Sequence, residues 1–295
     1  MNRVAAGGNP AGVRGRRVAV MLAAGVAAAL LAGCGSARVG ASQPQPGPGQ
    51  QLLRALRAWS GFPVRASPRP LVIIGQRVAD PLHGFPAGAD KLAYLERAIR
   101  APATWPSGVP AAAGFPLISA REAFGVFMST AGKGPPAAAR LTVTTVRLGS
   151  ALFQTDRGSR WLPAWLFGFA GIQGSAAVLA VGPARIFSPA GLPASGSPVV
   201  SGARLGPDGR TLTVEFTGAP SGTGPCTAGY GLRFAISRSA IAVAVREHAH
   251  GGDVACSSVG YPRRVTEVLP VPLGARVVVD AASSTAVTVT TTPGG

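Results

Sequence analysis

The residue types best suited to metal or acid–base chemistry are three histidines, His83, His248 and His250, and eleven acidic residues. The string EHAH sets His248 and His250 two positions apart, so on a strand their side chains point to one side. With Glu247 or Asp253 nearby, this pattern is compatible with a surface metal site. Zinc sites need three or four ligands at defined spacing. Two solvent-facing histidines at a strand end fit the pattern better, and we expect no metal and no cofactor.

Motifs of the common enzyme classes do not occur in the chain. It has no GxSxG string, the nucleophile elbow of α/β-hydrolases, and no SxxK string of a penicillin-binding type serine enzyme. It also has no P-loop and no GxGxxG string. Glycoside hydrolysis needs a pair of carboxylates, and the acids of the first two parts of the chain are few: Asp80, Asp90, Glu96, Glu122 and Asp156. We therefore expect a protein without catalytic activity, and a hydrolase is the alternative.

The N-terminus has the plan of an export signal. Residues 1–17 carry four arginines and no acid, and residues 18–33 carry no charge. A basic segment followed by a short apolar run is typical of a secretory signal peptide. The run is short for a spanning helix, which needs about 20 residues. No second long apolar run follows, so a polytopic membrane protein is not expected.

A cysteine ends this apolar run. The string Leu31-Ala32-Gly33-Cys34 resembles the lipobox of bacterial lipoproteins. The resemblance implies that a diacylglyceryl group is attached to Cys34, that residues 1–33 are cleaved off, and that Cys34 becomes the N-terminus. Because two acyl chains anchor a protein stably, we expect it on the extracytoplasmic face of the plasma membrane. The alternative is an ordinary signal peptide or an uncleaved anchor with a coincidental cysteine.

Arginine dominates the charge. Lysine occurs twice among 28 basic residues, and alanine, glycine and proline are abundant. This bias is typical of a high-GC genome, and together with the lipobox it indicates an actinobacterial lipoprotein. No characterised family is matched by the rest of the chain.

The charge excess is uneven along the chain. Beyond residue 33 the chain has 24 basic and 11 acidic residues, a net charge of +13, divided as +6 in 35–110, +5 in 111–200 and +2 in 201–295. An excess of like charge attracts anionic partners. On the outside of a membrane these are phospholipid head groups or phosphate-bearing wall polymers, and not nucleic acid. Genomic arginine bias on a solvated surface is the alternative explanation.

Composition divides the exported chain into three parts. Residues 34–51 combine the cysteine with a segment rich in Pro, Gly, Gln and Ser, which is typical of a disordered tether. Residues 52–199 are expected to form an α+β domain and residues 200–295 an all-β module. The string GLPASGSP, at 191–198, is the predicted linker between them.

The α+β prediction depends on one helix followed by strands. Ser119 and Glu122 form a capping-box pattern before an apolar run. An antiparallel β meander is predicted after this helix, with TDRG as a turn between two strands. The less regular segment before it predicts short helical turns at 52–59 and a buried strand at 70–78. It also predicts a second helix with Leu92, Leu95 and Ile99 on one face, stopped by Pro102.

The C-terminal module is predicted as a sandwich-like fold of six or seven short strands. Leu212, Val214 and Phe216 alternate with polar residues in one of them. With Cys34 lipidated, Cys226 and Cys256 remain in an exported chain, and a disulfide is the economical interpretation. A bridged loop of this length, 30 residues, contributes roughly 3.5 kcal/mol in the chain-entropy model.

One strand concentrates aromatic residues. Trp161, Trp165, Phe167 and Phe169 in RWLPAWLFGF share one strand face by their period of two, which favours core packing. Pro163 is expected to break this strand or to mark an edge. A sugar- or lipid-binding platform is the alternative. The combined prediction is an exported, anchored, non-catalytic binding or accessory component of the cell envelope. The alternatives are a hydrolase acting on envelope material and an ectodomain that partners another membrane protein.

Overall fold

The computed structural model describes residues 47–108, 114–132, 140–190, 199–249, 251 and 254–292. Three helices and twelve strands lie in this part of the chain, which confirms the α+β class with a strand-rich C-terminal part. The helices are α1 (Pro48–Ala58), α2 (Gly88–Leu95) and α3 (Ala120–Met128). The signal-like run 18–33, Cys34 and the predicted linker 191–198 lie outside the described residues. Within the described ranges, no helix is long and apolar enough to cross a bilayer.

A five-stranded sheet forms the first half of the fold. Its order is β1-β5-β4-β3-β2, with β2 parallel to β3 and the other neighbours antiparallel. The strands are β1 (Val78–Ala79), β2 (Ile99–Arg100), β3 (Leu141–Thr155), β4 (Gly158–Phe169) and β5 (Ala176–Leu179). The turn predicted at TDRG joins β3 to β4 in a long hairpin. Gly158, at a φ of +83°, supplies the left-handed conformation there.

The helix α3 begins where the sequence predicts. The Ser119 hydroxyl accepts a hydrogen bond from the Glu122 amide, and the Glu122 carboxylate accepts one from the Ser119 amide, which completes the capping box. Ala123 and Phe127 are fully buried against the sheet. Helix and sheet therefore share one hydrophobic core.

The predicted second helix is shorter than expected. It ends at Leu95, and Ile99 belongs to β2. The chain turns at Arg97, whose φ of 55° is incompatible with continuing the helix. Pro102 therefore does not stop it.

The predicted core face of α2 is also wrong. Leu92 and Leu95 are 40% and 51% exposed, whereas Ala93 and Tyr94 are buried. The Tyr94 ring packs on Phe127 with a centroid distance of 5.7 Å. The same ring also packs on Phe85 and Phe169. Because the helix is only two turns long, the contacts of this one side chain determine which face is buried.

The buried strand predicted at 70–78 is mostly absent. Leu71 forms an isolated bridge with Ile186 and Ile73 one with Thr155, and only Val78 enters a strand. The segment therefore pairs in turn with three separate parts of the chain, the third being β5 at Val178, instead of running along one neighbour.

Two smaller sheets form the C-terminal part. The first has the order β10-β7-β6-β12 and the second β11-β9-β8. The strands are β6 (Val200–Leu205), β7 (Thr211–Gly218), β8 (Ala228–Ile236), β9 (Ala240–Ala249), β10 (Tyr261–Val268), β11 (Val277–Asp280) and β12 (Val289–Thr291). Leu212, Val214 and Phe216 are buried in the core that both sheets contribute to, as the alternation predicts.

The two cysteines of this part are paired. Cys226 follows β7 and Cys256 precedes β10, and their Cα atoms are 5.5 Å apart in a disulfide. The loops that leave β7 and β9 are thereby joined, as the cysteine count predicts.

The helix α1 packs on the C-terminal part. Leu52, Ala55 and Trp59 share a core with Ala240 and Val277 of the three-stranded sheet. The Trp59 indole also donates a hydrogen bond to the Ser284 carbonyl, at 2.9 Å. These contacts join residues from both sides of the domain boundary expected at residue 199. The boundary itself stays a prediction.

The β3–β4 turn contacts an arginine of the N-terminal segment and backbone carbonyls of the C-terminal part. The Asp156 carboxylate is 2% exposed and accepts two hydrogen bonds from the Arg69 guanidinium. The Arg157 side chain lies beside it and donates to the carbonyls of Gly274 and Arg276, at 2.7 and 2.6 Å. Burial lowers the pKa of Arg157, although Asp156 opposes this. The turn thereby joins the two halves of the fold.

We predict that Asp156→Asn lowers the free energy of unfolding by about 3 kcal/mol, because removing one partner of a buried ion pair leaves the other uncompensated. Urea unfolding followed by tryptophan fluorescence measures this loss. The exposed Glu247→Gln removes the same charge and should change stability by less than about 0.5 kcal/mol. Equal stability of the two variants would contradict a structural role for Asp156.

Candidate ligand-binding site

The four aromatic residues of β4 do not all enter the core. Trp165, Phe167 and Phe169 are buried, whereas Trp161 is 70% exposed. Helices α2 and α3 cover the end of β4 that holds the three buried rings. Trp161 lies four residues earlier, about 13 Å along the strand. Core packing is therefore confirmed for three of the four rings. The ring of Trp161 lies on the surface instead.

A leucine extends this exposed surface. Leu152 of β3 lies directly opposite Trp161 in the register of the hairpin, and it is 46% exposed. Directly opposed side chains on antiparallel strands stand close enough to interact. The two form a continuous apolar pair on a rigid sheet.

Pro163 does not break β4. It lies inside the strand opposite Ser150, and its carbonyl accepts a hydrogen bond from the Ala180 amide, at 2.9 Å. The neighbouring strand β5 ends at Leu179, so the missing N–H of the proline faces the point where strand pairing stops. The expected break is therefore absent, and Pro163 marks the point where the pairing of β4 with β5 ends.

A pocket of about 450 Å³ opens beside this pair. Its lining is mainly apolar and includes Leu166 as well as Leu152 and Trp161. Asp80 and Arg147 contribute one charge of each sign. An apolar lining with a few polar groups is the usual composition of a small-molecule site.

Two side chains hold the Asp80 carboxylate in place. It accepts a hydrogen bond from the Tyr94 hydroxyl, and the Arg97 guanidinium lies 3.8 Å away. Burial and the hydrogen bond to Asp80 raise the pKa of Tyr94 far above its ordinary value, so the phenol stays protonated and donates. The Asp80 side chain remains 37% exposed and retains acceptor capacity toward the pocket.

Arg97 supports this arrangement as a buried cation. Its guanidinium stacks between the rings of Tyr94 and Phe127, at 4.6 and 4.2 Å from their centroids. It also donates hydrogen bonds to the backbone carbonyls of Tyr94 and Phe127 and to Thr130. Cation–π contacts stabilise most when they are desolvated. Asp80 is thus positioned by two side chains that are themselves fixed.

Of the other carboxylates noted in the sequence, those of Asp90, Glu122 and Asp156 have structural partners. Asp90 and Glu122 accept hydrogen bonds at the N-termini of α2 and α3, and the bond from the Ser119 amide lowers the pKa of Glu122. Glu96 is the C-cap residue of α2. Asp156 is paired with Arg69, as described above.

The two histidines that the structure describes lie in different parts of the fold. His83 exchanges backbone hydrogen bonds with Gln173, and His248 is exposed on β9 opposite Gly229. His250 and Asp253, the other members of the suggested metal site, lie outside the described residues. Among the residues that the structure does describe, no group of three or more His, Cys, Asp or Glu could hold a metal ion.

Several pocket residues were missed by sequence reasoning. The pairing of Leu152 with Trp161 follows from counting outward from the TDRG turn and could have been found in that way. Asp80 and Arg147 carry no such signal, because they come from separate segments that meet only in the folded chain.

The fold and this pocket define an α+β protein with an amphiphilic pocket on a β hairpin. Comparison with known proteins adds no relative: no family model, no curated protein and no solved structure matches the chain. The function must therefore be argued from the residues themselves.

We predict stability effects of very different size for substitutions of two tryptophans in one strand. Trp165→Ala should lower the free energy of unfolding by about 3–5 kcal/mol, because it removes a fully buried ring. Trp161→Ala should change it by no more than about 0.5 kcal/mol, because its ring is solvated. Urea unfolding followed by circular dichroism compares them. A large loss for Trp161→Ala would assign that ring to the core instead.

Proposed function

We propose that this protein is an exported, lipid-anchored and non-catalytic binding component of the cell envelope. Its ligand is a saccharide unit of a wall polymer, held in the pocket beside Trp161. The observation that carries this proposal is the exposed Trp161–Leu152 pair on a rigid hairpin, next to a fixed carboxylate and a guanidinium.

Sugar chemistry matches this combination of groups. The C–H face of a pyranose ring is apolar and stacks on an indole ring, while its hydroxyls need acceptors and donors. Asp80 supplies the acceptor, and Arg147 and Ser150 supply donors from the pocket wall. Strand pairing fixes the backbone of Trp161, so only the torsions of its side chain lose freedom on binding.

Export and anchoring are supported by independent features of the chain. The basic segment, the apolar run and LAGC follow one another in the order of a lipoprotein signal. The disulfide between Cys226 and Cys256 fits an oxidising compartment outside the cytoplasm. Residues 34–51, the expected tether, would connect the acylated cysteine to the folded part, although the last four of them, 48–51, belong to α1.

The engagement of the acids supports binding rather than hydrolysis. Glycosidases use two carboxylates that face one substrate. Here Asp90 and Glu122 cap helices, Asp156 is neutralised by Arg69, and Asp80 accepts from Tyr94. Each of these acids has a structural partner of its own.

A second candidate function, docking to another envelope protein, draws on a different surface. Val254, Val259 and Tyr261 are 50%, 57% and 44% exposed around the disulfide. Exposed apolar residues that lie together mark protein interaction surfaces. This candidate predicts binding that depends on Tyr261 and not on Trp161.

We predict that the mature wild-type chain carries acyl groups on Cys34 and partitions into detergent, because two acyl chains anchor stably. The variant Cys34→Ser should remain unprocessed or be released without acyl mass. Intact mass spectrometry and detergent phase separation measure both properties. The Cys226→Ser/Cys256→Ser double variant, with its lipobox intact, should partition like wild type. A wild-type mature chain free of acyl groups would refute the anchor.

We predict that the mature chain co-sediments with delipidated actinobacterial cell walls. Trp161→Ala should weaken this binding about tenfold or more, which is the usual effect of truncating a central tryptophan. The matched control is Tyr261→Ala, another exposed aromatic, which should bind like wild type. Equal binding by Trp161→Ala and wild type would overturn the saccharide proposal, and dependence on Tyr261 would favour the second candidate.

A further inference from the structure

The outer face of α1 combines one exposed leucine with two arginines. Leu53 is 58% exposed, and Arg54 and Arg57 are also exposed. The helix sequence, PGQQLLRALRA, contains no acidic residue. Its opposite face is buried through Leu52 and Ala55. The exposed face is therefore both basic and apolar, and the core packing of α1 does not use it.

A shallow apolar groove continues this face. It has a volume of about 340 Å³ and lies between α1 and the β8–β9 turn. Leu53, Leu56, Arg57 and Ser60 line it from the helix side, and Ser237 lines it from the turn. Arg238 is exposed in the same turn.

The sheet under α1 adds two further cations. Arg233 on β8 lies opposite Ala244 on β9, and Ala244 packs against the core that α1 covers. Since side chains two positions apart share a face, Arg246 also belongs to this side of the sheet. Both arginines are exposed. The nearest acid along β9, Glu247, alternates to the other face.

We propose that these residues form a membrane-docking surface, defined as Leu53, Arg54, Arg57, Arg233, Arg238 and Arg246, for anionic phospholipid head groups. The guanidinium groups form charge-assisted hydrogen bonds to lipid phosphates. Leu53 enters the interface between head groups and acyl chains, as the apolar residues of interfacial helices do. The surface takes residues from both sides of residue 199, because α1 packs on the C-terminal sheet.

The position of α1 in the chain favours a bilayer as the occupant. Fourteen positions separate Cys34 from Pro48, the first residue of α1. Even a fully extended segment of this length spans no more than about 50 Å. If Cys34 is acylated as proposed above, α1 stays near the head groups at a high effective concentration, so weak contacts suffice. This step alone rests on the proposed function.

The test uses residues 34–295 with Cys34→Ser, so that no acyl chain contributes. We expect this chain to co-sediment with vesicles of phosphatidylglycerol and phosphatidylcholine in equal parts, but not with phosphatidylcholine alone. Binding should fall steeply as salt rises beyond about 0.15 M, where the Debye length is about 8 Å. Arg54→Gln/Arg57→Gln should weaken it about tenfold, and Leu53→Asn several-fold.

The matched control is Arg100→Gln/Arg140→Gln, which removes the same charge from exposed positions, one in β2 and one directly before β3. It should bind vesicles within about twofold of wild type, because polybasic attraction acts only near the lipid surface. An equal loss in both double variants would reduce the effect to net charge and overturn the proposal. So would binding to delipidated walls through these arginines without binding to vesicles. Acylation of Cys34 and wall binding through Trp161 are measured in separate experiments. A negative result with vesicles therefore does not contradict the proposed function.

Discussion

The buried carboxylate of Asp156 is the contact on which the arrangement of this protein depends. It lies at the tip of the β3–β4 hairpin, almost without solvent contact, and binds the guanidinium of Arg69. A carboxylate taken out of water is costly unless it is paired and hydrogen-bonded. Its backbone takes part as well, since the Asp156 amide donates to the Val72 carbonyl and its carbonyl accepts from the Val289 amide. One turn therefore satisfies groups from the first segment and from the last strand.

The fixed turn also restrains the hairpin that carries Leu152 and Trp161. Leu152 and Trp161 lie on the two strands only a few residues from Asp156, so the hairpin that carries them is held at its tip as well as by its neighbours in the sheet. Sites on rigid elements keep their geometry better than sites on loops. Because strand pairing fixes the backbone of Trp161, only the side-chain torsions lose freedom when a ligand stacks on the indole, and this favours binding through Trp161.

The two surfaces that we propose, the pocket beside Trp161 and the membrane-docking surface, suit different partners because their chemistry differs. The pocket beside Trp161 balances one acid against one base, and its contacts are directional. The surface on α1 has cations around a single exposed leucine and is suited to a laterally mobile layer of phosphates. If Cys34 anchors the chain as proposed, both surfaces can act together, because α1 is the first element of the described residues, while the pocket is built on a different sheet.

Several features could be predicted because they depend on neighbours in the chain. The capping box of Ser119 and Glu122, the TDRG hairpin and the alternation of Leu212, Val214 and Phe216 are local patterns, and the structure contains all three. The disulfide followed from counting cysteines, because few pairings are open to so few residues. Local geometry and hydrophobic periodicity determine such elements before any tertiary contact forms.

Other features depended on contacts between distant segments. The same period of two describes Trp161 and Trp165, yet only the second is buried, because α2 and α3 cover one end of the sheet. Likewise, Leu92 was expected in the core and is exposed, because the packing of Tyr94 determines the orientation of α2. The sequence by itself determined those elements that local patterns define, such as the capped helix α3 and the β3–β4 hairpin. Only the tertiary structure decided which apolar side chains meet solvent and which charges meet one another, because burial is a property of what packs on a residue and not of the residue alone.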